Sequence, residues 1–92
     1  MQRYFFHSED GHTFRDEEGT ELPNDEAARI EAARVLGQML NEHPADVWRH
    51  DQFRVLVADA NGATLYILDL AAIRAPAAGG PGPGRQANET PR

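Results

Sequence analysis

The feature that most limits what this chain can become is its opening run, RYFFHSEDGHTFRDEEGTELPNDEAARIEAAR. An aromatic segment, an Asp-Gly turn, an acidic loop and an Ala-rich helical pattern follow one another there with no linker. Alternating aromatics call for a sheet with one buried face, and the helical pattern behind them has to lie on that face. The order of elements therefore points to an α+β domain.

Arg3 to Ser8 reads as a strand and Thr13 to Asp16 as its partner. A three-residue loop, Glu9-Asp10-Gly11, with glycine in the left-handed position is a common hairpin connection. That register sets Phe6 opposite Phe14 and Tyr4 opposite Asp16. Tyr4, Phe6 and Phe14 then share one face, and Phe5, His7, Thr13 and Arg15 the other. Leu22 anchors the chain ahead of a helix capped by Asn24, with Asp25 and Glu26 in the first turn where the helix dipole favours carboxylates. The pattern predicts a helix from Asp25 to Glu42, stopped by Pro44. Ala28, Ala32, Val35, Leu36, Met39 and Leu40 form its apolar stripe.

Beyond it, Trp48 is expected to close one end of the core. Gln52 to Asp59 and Ala63 to Leu70 make a second hairpin around Ala60-Asn61-Gly62. The turn predicts Val57 opposite Leu65 and Val55 opposite Ile67. Phe53, Val55, Val57, Leu65 and Ile67 then point inward, and Arg54, Leu56, Tyr66 and Leu68 outward. The expected architecture is β-β-α-β-β: two antiparallel hairpins in one sheet, with a single amphipathic helix on one face.

Length allows one small domain, since a chain of 92 residues has little room for a second core. We place the folded part at 1–74. From 75 to 92 the sequence APAAGGPGPGRQANETPR lacks periodicity and offers too little apolar area to offset ordering entropy, so it reads as a disordered tail. Cysteine is absent, which excludes disulfides and thiolate chemistry. Net charge is −6, and the basic residues are all Arg, scattered along the chain. Nucleic-acid affinity rests on clustered phosphate-neutralising side chains, so this balance speaks against it. No apolar run is long enough to span a bilayer and the start lacks a leader pattern, so a cytoplasmic protein is expected.

The segments Arg3-Tyr4-Phe5-Phe6-His7, Asp10-Gly11, Asp16-Glu17-Glu18-Gly19-Thr20-Glu21-Leu22 and Ala28-Arg29-Ile30-Glu31-Ala32 carry a family resemblance. Together with Val55-Leu56-Val57 and the Asp59 to Gly62 turn, they resemble a family of small bacterial proteins classed only as a domain of unknown function. The resemblance spans roughly residues 3 to 70 and implies a small α+β domain. It implies no activity and assigns no functional residue.

No catalytic constellation emerges. The acidic residues Glu9, Asp10, Asp16, Glu17, Glu18, Glu21, Asp25 and Glu26 lack the EF-hand spacing. They are read as solvated turns and a helix start. His7, His12, His43 and His50 form no short-range zinc pair, and Ser8 sits in no nucleophile elbow. Arg29, near the apolar stripe, is expected to pair with Asp25 or Glu26 while its stem covers apolar surface. Nothing calls for a metal or a cofactor, and we expect no enzyme.

One helix covers only one side of such a sheet. The other side is expected to carry Phe5, His7, Arg15, Arg54, Leu56, Tyr66 and Leu68, an aromatic and apolar surface with Arg at its margin. The expectation is a non-enzymatic module that binds itself or another protein there. The alternative is an antitoxin-like or RNA-associated regulator, by fold analogy alone.

Overall fold

The computed structural model describes residues 1–76. The proposed tail lies outside the described residues from 77 onward. Five strands and two helices follow one another: β1 (Gln2–Glu9), β2 (Thr13–Phe14), β3 (Thr20–Leu22), α1 (Asp25–Glu42), α2 (Pro44–His50), β4 (Gln52–Ala58) and β5 (Thr64–Ala71). All strand pairs are antiparallel, in the order β2-β1-β4-β5, with β3 also on β1. The α+β class is as expected. A fifth strand and a second helix are additions to the expected plan.

The helix α1 begins where its cap predicts, with Asn24 Oδ1 accepting from Ala27 N at 2.9 Å. It buries Ala28, Ala32 and Leu36 against Tyr4, Phe6, Phe53, Val55 and Val57. The small residues of its stripe let the helix lie close to the sheet, and removing these side chains from water is what holds the two layers together. Pro44 does end α1, and it also opens α2, because proline at the first helical position lacks only an N–H that would have no partner there. Val47, not Trp48, turns inward from α2. Trp48 remains 50% exposed, so the expected closing role falls to the smaller residue.

Both hairpin registers differ from expectation. On β1 the pairs are Ser8↔Phe14 and Glu9↔Thr13, which moves the loop to Asp10-Gly11-His12 and leaves Phe14 63% exposed. A two-residue slide keeps each side chain on its face but carries Phe14 off the end of the core. On β4 and β5 the turn itself matches expectation: Asp59 N donates to Ala63 O, and Ala58 pairs with Thr64. A bulge then intervenes, so Val57 pairs with Tyr66 and Val55 with Leu68. One extra residue reverses every face beyond it.

The reversal has a physical reason. An unbroken register would set Asp69 opposite Phe53, beneath the helix, where an unpaired carboxylate is costly. The bulge turns Tyr66, Leu68 and Leu70 to the helix side, where they pack on the core. Leu65, Ile67 and Asp69 go to the open side. The expected placement of Tyr66 and Leu68 outward, and of Leu65 and Ile67 inward, is therefore corrected.

Candidate functional site

The open side of the sheet is built from cross-strand rows. His7, Leu56 and Ile67 stand in one row across β1, β4 and β5, and Glu9, Arg54 and Asp69 in the next. Phe5 stands beside Ala58 at the other end. Of the seven residues expected to form this surface, Phe5, His7, Arg54 and Leu56 come together on it. Arg15, from the loop after β2, lines a groove of about 310 Å³ with Phe5 and His7. Tyr66 and Leu68 do not belong to it. Ile67, 57% exposed, and Leu65, 37% exposed, take their place. The signal that reveals the exchange is the position of Asp69, which shares its strand parity with Leu65 and Ile67.

Arg54 ties the polar row together. Its guanidinium lies 3.6 Å from Glu9 and 3.3 Å from Asp69, while Gln52 Nε2 donates to Asp69 at 2.8 Å. The Gln52 and Arg54 hydrogen bonds hold the Asp69 carboxyl below its ordinary value, against a smaller opposing effect of burial. Beyond this row lies a second groove of about 400 Å³, where the rings of His12 and His50 meet edge-on with centroids 6.1 Å apart.

Asp16 organises the margin of the site. Its carboxylate accepts from the backbone N–H groups of Phe6, Glu18 and Gly19, each at 3.1 Å. Its own N–H donates to His7 Nδ1 at 3.0 Å, which fixes the imidazole on the open face. Burial pushes the Asp16 carboxyl up, but the bonds from Gly19, Phe6 and Glu18 together outweigh it, so the net direction is down. The expected strand Thr13 to Asp16, with Asp16 opposite Tyr4, is corrected: β2 stops at Phe14, Tyr4 pairs with Thr20, and Asp16 lies in the loop between, where its carboxylate serves the β1 backbone.

On the helix side, Asp25 accepts from Tyr4 at 2.6 Å and from Tyr66 at 3.2 Å. The hydrogen bond to Asp25, with burial added, pushes the Tyr4 hydroxyl up to about 12. Arg29 pairs with Tyr66 and not with the acidic residues of its own helix. Its Nη1 donates to the hydroxyl at 3.0 Å and its guanidinium sits 5.1 Å from the ring centroid. The acidic residues are thus dispersed into separate local contacts. Among the described residues no group of three or more His, Asp or Glu gathers to hold a metal ion, and no helix is long and apolar enough to cross a membrane.

Fold and surface together define a small α+β domain whose sheet is roofed by helices on one side only. The chain belongs to the family described as Domain of unknown function (DUF6894), whose pattern matches residues 3–71. No curated protein and no solved structure matches it.

Proposed function

We propose that this protein is a non-enzymatic binding module that docks itself or a protein partner on the open sheet face. The observation that carries the reading is the apolar row of Leu56 and Ile67, with Phe5 and Leu65 at the same face and charged side chains confined to its margins. Exposed apolar patches with a polar rim are the usual form of an interaction surface. Arg15 and Arg54 supply rim residues of the type enriched at interfaces.

Leu56→Glu places a charge at the centre of the row without touching the core. Partner affinity should fall at least tenfold, while the helical circular-dichroism signal stays unchanged. Capture of a protein partner that survives Leu56→Glu at full strength would remove the reading. Tyr66→Glu is not an equivalent probe, because Tyr66 faces the helix and its loss strikes the fold itself.

A further inference from the structure

The two free sides of β1 and β5 differ in what covers them. Along β1, the side away from β4 is taken up by β3 at Gln2 to Tyr4 and by β2 at Ser8 and Glu9. Phe6 lies between them, and its N–H is taken by Asp16. On β5 the backbone can be followed residue by residue. Ala72 N donates to Asp51 O at 2.9 Å, and bonded positions recur every second residue along an antiparallel pair. The peptide groups of Leu70, Leu68 and Tyr66 therefore face β4, and those of Ile67, Asp69 and Ala71 face outward. Among the described residues, no strand or backbone hydrogen bond meets them.

Exposed edges are normally blunted by Lys, Pro, shortness or a covering loop. β5 is eight residues long, contains neither Lys nor Pro, and carries one charge, Asp69, which Arg54 and Gln52 hold from its own sheet. The edge is also greasy on both faces. Tyr66, Leu68 and Leu70 are only half-buried beneath the helix, and Ile67 is exposed above.

We infer that β5 pairs antiparallel with β5 of a second copy of this chain, about a two-fold axis at Leu68, joining two sheets into one. This register makes two doubly bonded backbone pairs, each Ile67 with Asp69 of the copy. On the helix side it sets Leu68 against Leu68 and Tyr66 against Leu70, so each half-buried side chain of the edge meets an apolar neighbour. The shallow groove of about 170 Å³ beside Arg29, Tyr66 and Leu68 lies at this seam. An axis at Asp69 would oppose like charges directly, and that register is disfavoured. The chain's own last residues are a poor occupant. Residues 77–92 include Pro81, Pro83 and Pro91, which lack an N–H for a ladder, and no apolar side chain besides Ala and Pro.

The inference does not depend on the open-face reading, and the test separates the two. Sedimentation of the full chain should show a dimer that dissociates on dilution. The amides of Ile67 and Asp69 should exchange at least tenfold more slowly in the concentrated sample than in the dilute one. Ile67→Pro removes an outward N–H and spares the β4 ladder, and should give a monomer in which Tyr66 and Leu68 amides stay protected. Ile67→Lys is the second variant, read if the proline disturbs the strand, and should also be monomeric. Leu56→Glu should leave the dimer in place. A strict monomer at high concentration, protection independent of concentration, or a dimer that persists in both Ile67 variants would overturn the proposal.

Discussion

The same sheet finishes its two edges by opposite means. On β1 a single carboxylate does the work of a strand: Asp16 takes the one N–H, that of Phe6, left between two short pairing segments. On β5 the outward-facing peptide groups of Ile67, Asp69 and Ala71 meet no strand among the described residues. A side chain can close an edge only where a turn holds it still, and the Asp16 loop is held by its own bonds to Glu18 and Gly19. The contrast shows that edge protection here is local and built from a few residues, so single substitutions can remove it.

The largest effect is expected at Gly19, in the loop between β2 and β3, against Gly62 in the β4–β5 turn. Both adopt positive φ, +76° and +87°. A side chain at Gly62 would meet open space, whereas one at Gly19 would come within 2.8 Å of Arg3 Cγ and 2.9 Å of both the Phe5 ring and Tyr4 O. Gly62→Ala should therefore cost about 1 kcal/mol from backbone strain alone. Gly19→Ala should cost roughly 3 kcal/mol, because the loop has to leave β1 as well. Urea melts of the two variants would measure the difference, and equal losses would mean the β1 loop is not held as closely as its contacts indicate.

Next comes Asp16→Ala. It strands the half-buried N–H of Phe6 and frees the loop that seats His7. The expected loss is about 2 kcal/mol, the cost of leaving one such donor without a partner. A second consequence sharpens the comparison of edges. With Asp16 gone, β1 also presents an open N–H, so the amide of Phe6 should exchange faster while those of Val55 and Val57 stay slow.

These differences mark how far the sequence could be read. The limits of α1 were legible because Asn24, Asp25 and Pro44 are local signals whose physics acts within one turn. The turn at Asp59 to Ala63 was legible for the same reason: Asp59 Oδ1 accepts from Asn61 N and Ala63 N at 2.9 Å. The bulge beyond it was not, since it satisfies a condition two strands wide, the exclusion of Asp69 from beneath the helix. Leu65 and Ile67 look as apolar as Tyr66 and Leu68, so within β5 only the parity of Asp69 chooses a face. Asp16 was missed because one aspartate in an acidic loop resembles its neighbours until the loop is folded. Arg29 was not legible: the expected pairing was with Asp25 or Glu26 of its own helix, and its partner, Tyr66, came from β5.

The smallest expected effect is one of pH, and it again separates the two edges. Asp16 is held below its ordinary value of 3.8 in the folded protein. A carboxyl so placed stabilises the fold above its unfolded value and ceases to do so as pH falls through the folded one. The stability gap between the wild type and Asp16→Asn should thus be constant near neutrality, shrink from about pH 4 downward, and vanish in stronger acid. Asp69 shifts in the same direction on the β5 side, but it is present in both proteins and so cancels from the gap. Asn keeps an oxygen that accepts from Phe6, so the gap at neutral pH should be smaller than the loss caused by Asp16→Ala. A gap that stays the same from neutrality into acid would mean that the β1 edge is closed by the shape of the loop and owes nothing to the charge of Asp16.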